Sequence, residues 1–173
     1  VARLEISGLY RQREVGLDIL HVFGRTNNTP HIYYYRRWID QQYWTPWEKI
    51  DVDIEGDHLV PVVWNRRLYL FWPMFIERAR EDSNLTDETA SPPQRYYEIR
   101  LVWSEYREGK WSPKRVSNTF VESPSRKTAA PKEWFSFWSY FIADGALVIA
   151  IKMSGGDISE HFFFSDCKGA LEV

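Results

Sequence analysis

The sequence predicts an all-β fold of antiparallel four-stranded meanders that resemble two to three propeller blades, with an incomplete set of blades. A β-sandwich is the alternative. The prediction depends on three observations. Aromatic residues make up 17% of the 173 residues, and flat side chains pack well on a pleated sheet. Long stretches of helical period are missing, and a hairpin pattern recurs along the chain.

The recurring pattern is an apolar strand, then an aromatic strand, then tryptophan followed by Ser/Thr-Pro in two of three copies. Trp44 and Trp111 end the first and second copies, whereas the third copy stops before its tryptophan. We expect a single domain over 1–173, cut from a much larger polypeptide. Its approximate repeats are 1–54, 55–118 and 134–173.

Turn residues divide the first copy into strands. Residues 1–16 carry charges around short apolar pairs, which predicts an edge strand or lead-in. The cluster 26–30 predicts a turn, because Asn tolerates left-handed backbone and Pro starts a bend. Pro46 cannot donate to a ladder, so its strand is expected at a sheet edge. The predicted strands after residue 16 are 17–23, 32–38 and 44–52.

The second and third copies follow the same logic. The strand that begins at Leu68 is apolar on both faces, which is typical of burial between layers. Gly109 supplies the positive φ of one hairpin turn, and an Asp-Gly pair marks another. Polar stretches at 77–94 and 118–132 predict mobile loops. The remaining predicted strands, about eleven in the whole chain, include 59–64, 97–103, 111–116, 134–142, 147–153 and 161–165.

Composition argues against several classes of function. The net charge is −2, so no overall field draws the chain to nucleic acid or to an anionic membrane. The longest apolar run, 68–76, contains Pro73 and is far shorter than the roughly 20 residues of a membrane-spanning helix. Cys167 is the single cysteine, so neither an internal disulfide nor a Cys-x-x-Cys metal site is possible. No metal and no cofactor is predicted.

Four segments resemble the neuraminidase-like region of the A subunits of bacterial insecticidal Tc (toxin complex) toxins. The resemblance is close over about residues 20–76 and looser over 97–164, where it depends on the strand and tryptophan pattern. The segments that carry it are Tyr33-Tyr34-Tyr35-Arg36, Trp44-Thr45-Pro46-Trp47-Glu48-Lys49-Ile50-Asp51-Val52-Asp53-Ile54, Gly56-Asp57-His58-Leu59-Val60-Pro61-Val62-Val63-Trp64-Asn65 and Arg67-Leu68-Tyr69-Leu70-Phe71-Trp72-Pro73.

The resemblance implies a place in a very large toxin subunit that is secreted or displayed on the bacterial surface. Such subunits form a bell-shaped pentamer whose shell surrounds a translocation channel, carries receptor-binding domains and opens when pH changes. The neuraminidase-like region belongs to the shell, near the end that faces the target membrane. The implied partners are the other domains and subunits of the pentamer, and the implied function is structural.

The sequence does not predict sialidase chemistry. That reaction needs three arginines on the substrate carboxylate, a tyrosine nucleophile assisted by a glutamate, and an aspartate as acid/base. Residues 59–61 lack the arginine of the Arg-Ile/Leu-Pro segment. Residues 104–111 lack the aspartate of the Ser-x-Asp-x-Gly-x-Thr-Trp turn and place glycine one position late. We therefore predict no catalytic residue.

Two sets of residues are candidates for binding or sensing. Four tryptophans could stack on sugar rings of a host glycan or contact a receptor, or they could fill gaps between sheets: Trp38, Trp44, Trp47 and Trp111. The four histidines could sense acid, since imidazole titrates between pH 5 and 8. The pair Asp57-His58 is the strongest candidate because it lies at a turn in the segment closest to the family. The alternative for His58 is an ordinary exposed histidine.

Overall fold

The computed structural model describes residues 3–80, 93–155 and 159–164, and the backbone of 171–172. These residues form three antiparallel sheets and one short 3₁₀ turn, and no described segment is α-helical. The predicted all-β class is confirmed, and none of the three sheets closes into a barrel. The chain divides into two compact units, formed by 1–72 with 102–115 and by 73–101 with 116–173.

The first sheet has the strand order β1-β2-β3-β4, and β5 also pairs with β3. Its face toward the core presents His21, Phe23 and Tyr35, because Phe23 and Tyr35 are cross-strand partners and His21 is two positions from Phe23. The predicted lead-in is the outer strand β1. The strands are β1 (Glu5–Glu14), β2 (Leu17–Arg25), β3 (Tyr33–Ile39), β4 (Tyr43–Trp44) and β5 (Glu48–Lys49).

The second sheet has the order β10-β8-β7-β6, with β9 and β11 also paired to β8. The strand predicted to be apolar on both faces is β7, and its residues Leu70, Phe71 and Trp72 are at most 1% exposed. Glu108 and Gly109 form the predicted turn, with φ of 51° and 79°. The strands are β6 (Val60–Trp64), β7 (Arg67–Arg80), β8 (Gln94–Arg107), β9 (Lys110–Trp111), β10 (Arg115–Val116) and β11 (Val121–Glu122).

The third sheet is a meander in the order β12-β13-β14-β15. Its second strand, β13, is buried on both faces. Phe135, on the neighbouring strand β12, packs against Phe75 of β7 with ring centres 5.3 Å apart. A 3₁₀ turn at Lys132–Trp134 precedes it. The strands are β12 (Phe135–Phe141), β13 (Leu147–Met153), β14 (Ser159–Phe164) and β15 (Leu171–Glu172).

Both predicted loops contain strand. The loop expected at 77–94 is shortened at both ends, because β7 and β8 extend into it through charge pairs such as Arg78–Glu98 at 3.1 Å. Residues 81–92 lie outside the described residues. The loop expected at 118–132 contains β11, in which buried Val121 is the partner of Ile99 on β8. The polar composition of these two segments predicted loops, and it did not reveal that parts of them pair with β8 as strands.

A hydroxyl side chain continues the ladder at four places where the chain leaves a sheet edge. At each place the Ser or Thr N–H donates to a strand carbonyl, and its hydroxyl oxygen accepts the N–H of the same strand residue, at 2.7 to 3.0 Å. A proline follows three of the four, so the hydroxyl satisfies the strand as the chain turns away. The pairs are Thr45 with Arg37, Ser112 with Glu105, Ser117 with Leu101, and Ser123 with Tyr97.

Candidate functional site

The outer face of the first sheet carries a stack of aromatic rings around one arginine. Alternation along β3 puts Arg36 and Trp38 on the same face, and the β3–β4 hairpin returns Trp44 opposite Trp38. The Trp38 and Trp44 rings stack with centres 5.7 Å apart and planes 15° apart. The Arg36 Cζ lies 4.0 Å from the Trp44 ring centre and 4.4 Å from that of Trp47. We call Arg36, Trp38, Trp44 and Trp47 the tryptophan stack.

A glycine provides the space that Trp47 occupies. A Cβ added at Gly24 would lie 3.3 Å from the Trp47 ring and 3.2 Å from the Leu4 side chain, which is closer than ordinary contact. The absence of a side chain at Gly24 therefore lets the indole lie against β2 and brings it within reach of Arg36. The tryptophan stack thus uses residues from β3, from β4 and from the segment after Pro46.

The tryptophan stack is partly open to solvent. Trp44 is 43% exposed, and Trp38, Trp47 and Arg36 are half-buried. The Arg36 Nε is buried and has no hydrogen-bond partner among the described residues. A cation held against indole faces is stabilised by the ring quadrupoles, by about 0.5–1 kcal/mol at an exposed site. Three of the four tryptophans selected from the sequence therefore lie together.

The fourth tryptophan lies elsewhere. Trp111 contacts the rings of Phe23, Tyr35 and Tyr106 at centre distances of 5.9, 5.7 and 5.1 Å. Its Nε1 is buried without a hydrogen-bond partner among the described residues. These contacts are the packing between sheets that the sequence offered as the alternative to sugar stacking. A sugar-binding role for the four tryptophans stays a prediction.

A polar network around His21, one of the four histidines considered as acid sensors, lies next to Trp111. The His21 Nδ1 is 2.8 Å from the Tyr35 hydroxyl, and its Nε2 is 3.3 Å from the Gln12 Oε1. His21 is only 4% exposed. Burial, and to a lesser extent the charge of Arg37, lower the pKa of His21 to about 4. The neutral imidazole is therefore the form that the fold holds.

The same part of the first unit contains a tyrosine–glutamate pair. The Tyr106 hydroxyl donates to the Glu48 Oε2 at 2.8 Å. The pKa of Tyr106 is raised to about 12; burial is the larger cause and this contact with Glu48 the smaller one. Burial raises the pKa of Tyr35 as well. Both phenols are therefore held protonated. The Tyr-rich composition of β3 is the only sequence signal for Tyr35, and Tyr106 on β8 has none.

The candidate acid-sensing pair has different surroundings. Asp57 forms an ion pair with Arg25, whose guanidinium also binds Glu5 at 3.0 Å. This ties the turn after Gly56 to β1 and β2. His58 is half-buried. Acid sensing by Asp57 and His58 stays a prediction.

Among residues 3–80, 93–155 and 159–164 no group of three His, Cys, Asp or Glu side chains could hold a metal ion. A shallow groove runs between the start of β3 and the segment 49–56, lined by Tyr33, Ile50, Asp51 and Asp53 among others. No helix in the described part of the chain is long and apolar enough to cross a membrane.

A family model described as the neuraminidase-like domain matches residues 4–144. The chain belongs to the neuraminidase-like domain family. Its structure is similar to part of Morganella morganii TcdA4, solved by cryo-EM, with a TM-score of 0.67 at 17% identity. The resemblance predicted from the sequence is thereby confirmed. No curated protein sequence matches the chain.

The match to TcdA4 covers 99% of this chain and 8% of the TcdA4 chain. At this identity the match establishes a shared fold. The fold of this chain is therefore found as a small part of a much longer polypeptide.

Proposed function

We propose that this neuraminidase-like domain is a non-enzymatic structural module in the shell of an insecticidal Tc toxin A subunit. The observation that carries the proposal is the fold match, in which nearly the whole domain corresponds to 8% of the TcdA4 chain. The partners are the other domains and subunits of a pentamer, the location is secreted or at the bacterial surface, and the shell opens when pH changes. Interlocked aromatic packing suits such a role, because it resists deformation.

The contacts of the described side chains support a non-enzymatic role. The Tyr106 hydroxyl does donate to Glu48, but burial is the main cause that raises its pKa to about 12, which disfavours the phenolate that a tyrosine nucleophile needs. Nine of the described arginines form ion pairs with carboxylates of the protein itself. These pairs are Arg11–Asp18, Arg13–Asp18, Arg25–Asp57, Arg67–Glu105, Arg78–Glu98, Arg80–Glu122, Arg95–Glu77, Arg100–Glu98 and Arg107–Glu108.

The experiment is cryo-EM of the full-length polypeptide together with an activity assay on the 173-residue chain. We expect a pentameric shell that contains this domain, and no release of fluorophore from a fluorogenic sialoside. A full-length protein that is monomeric, or that places the domain outside a shell, would contradict the structural role. Sialoside cleavage that a Tyr106→Phe variant loses would contradict the absence of catalysis.

A second candidate function is binding of a host glycan or receptor. The observation that favours it is the tryptophan stack, in which Trp44 keeps 43% of its surface exposed. Exposed aromatic groups are frequent anchors at interfaces. A glycan array probed with the chain and with Trp44→Ala tests it. Trp138→Ala is the matched control, since Trp138 is 42% exposed on the third sheet. Binding that is absent, or equally sensitive to both substitutions, would count against this function.

A further inference from the structure

The third sheet begins with a strand, β12, that is bonded along one edge only. Its place in the order β12-β13-β14-β15 gives it β13 as its single partner in the described part of the chain. The Ile142 N–H donates to the Ala146 carbonyl at 3.1 Å, and hydrogen-bonded pairs alternate along an antiparallel ladder, so the even-numbered residues of β12 bond to β13. The backbone N–H and C=O groups of Ser139 and Phe141 therefore point to the open edge.

The other long edges of the described sheets carry features that discourage pairing with another chain. Charged side chains, proline, bulges and shortness are the usual features of this kind. The edge strand β1 has four charged residues and a bulge between Ile6 and Gly8, and β6 contains Pro61. The strands β4, β5, β10, β11 and β15 have two residues each. In contrast, β12 has seven residues with no charge and no proline, and its register with β13 is regular.

Large side chains on both faces of β12 are open to solvent. Trp138 and Tyr140 lie on one face, where they are 42% and 37% exposed, and Phe141 on the opposite face is 47% exposed. Neighbouring exposed aromatic groups of this size often mark a site of protein association. A strand added beside β12 would satisfy the open backbone groups and would cover these side chains at the same time.

The side chains of β12 also restrict which strand can be added. They are aromatic or carry a hydroxyl, so a charged residue placed among them would lose water and find no opposite charge. The matching strand is therefore uncharged and rich in aromatic residues. A second copy of β12 has this composition, since β12 is the longest described strand without a charged residue.

An antiparallel pairing of two copies centred on Ser139 fits the backbone of β12. The two Ser139 residues then face each other and exchange both of their hydrogen bonds across the open edge. On either side, Trp138 of one copy lies opposite Tyr140 of the other, at the positions where cross-strand side chains come closest. This register therefore creates two equivalent aromatic pairs.

We propose that β12 is an interface between two copies of this chain, paired antiparallel with Ser139 on the two-fold axis. The two four-stranded sheets then form one continuous sheet. A two-fold contact uses the same surface on both copies and is complete at two copies, so it cannot by itself build a ring of five. The interface is thus additional to the contacts of the proposed shell, and it does not depend on them.

Sedimentation velocity of the 173-residue chain, from about 1 μM to about 1 mM, measures the association. We expect the mass to rise from that of one chain towards that of two, and to rise no further. Tyr140→Lys places a charge at the open edge and removes both aromatic pairs, so we expect a dimer that is at least about tenfold weaker. Phe163→Lys is the matched control, because Phe163 is 42% exposed on the same face but lies on β14, away from this edge. It should leave the dimer unchanged.

A second variant and a cross-link test the backbone contact and the register. Ser139→Pro removes the N–H at the open edge and should abolish the dimer, and circular dichroism verifies that the fold is kept. Ser139→Cys in a Cys167→Ser background should form a disulfide-linked dimer under mild oxidation, because the paired Cα atoms would be about 5.5 Å apart. Ser136→Cys in the same background is the control and should not cross-link, since its two copies would be about 20 Å apart.

Four results would overturn the proposal. The first is a chain that stays a monomer at every concentration. Equal weakening by Tyr140→Lys and Phe163→Lys would assign the association to the aromatic face and not to the edge. Growth beyond two copies would exclude the two-fold contact, and equal cross-linking through Ser139→Cys and Ser136→Cys would exclude the register. Each of these outcomes leaves the proposed shell role standing, because that role is tested on the full-length polypeptide.

Discussion

Lowering the pH should destabilise the fold through His21. In the unfolded chain a histidine has a pKa near 6.5, whereas burial lowers the pKa of His21 in the fold to about 4. Between these two values the unfolded chain binds a proton that the folded chain does not. The free energy of unfolding therefore decreases as the pH falls through this window and is unaffected by His21 above it.

The size of the effect follows from the two pKa values. Each unit of pKa difference corresponds to 1.36 kcal/mol, so the free energy of unfolding falls by about 3 kcal/mol in total once the pH is below 4. By pH 5 it has already fallen by about 2 kcal/mol. Groups that face His21 are the Tyr35 hydroxyl, the Gln12 amide, the Tyr10 ring and the Arg37 guanidinium. None of them is an acid that could accept the new charge.

Urea unfolding of the wild type and of His21→Gln at pH 7.5 and pH 5.0 measures the effect. We expect the wild type to lose about 2 kcal/mol between the two pH values and the variant to lose much less, although the variant is less stable at pH 7.5. His161→Gln on the third sheet is the control and should keep the wild-type pH dependence. An equal loss in His21→Gln and wild type would refute the reasoning, as would a wild type whose stability is constant over this range.

Three further predictions concern packing and the sheet edges. Ser117→Ala leaves the buried Leu101 N–H without the hydroxyl acceptor at 3.0 Å, so the free energy of unfolding in urea should fall by about 1–3 kcal/mol. The control is Ser136→Ala, at an exposed serine, which should change the free energy of unfolding little. Gly24→Ala places a methyl group 3.3 Å from Trp47, so we expect an altered near-UV circular dichroism spectrum and a free energy of unfolding lower by about 1–3 kcal/mol. An unchanged spectrum would contradict the described position of Trp47. Phe135→Ala empties a site that is 1% exposed, for which about 3–5 kcal/mol is expected in thermal or urea unfolding, and a loss below about 1 kcal/mol would show that the residue is not in the core.

Local sequence chemistry was enough to predict most of the strands and turns. The apolar run in β7 indicated burial on both faces, and Gly109 indicated a tight turn with positive φ. Local patterns could not show that polar segments pair with β8. The pairing of Val121 with Ile99 joins residues distant in sequence. On either side of it, the hydroxyls of Ser117 and Ser123 accept the N–H groups of Leu101 and Tyr97.

The sequence by itself determined the all-β class, the repeat of hairpins and the family. Only the tertiary structure decided which repeated residues meet, because side chains of a strand alternate between its two faces. Trp44 and Trp111 have equivalent places in the repeat. However, Trp44 lies opposite Trp38 and joins the tryptophan stack, whereas Trp111 lies opposite Tyr106 and packs on Tyr35. The β3–β4 hairpin has three loop residues and the β8–β9 hairpin has two, so the same motif returns to a different partner.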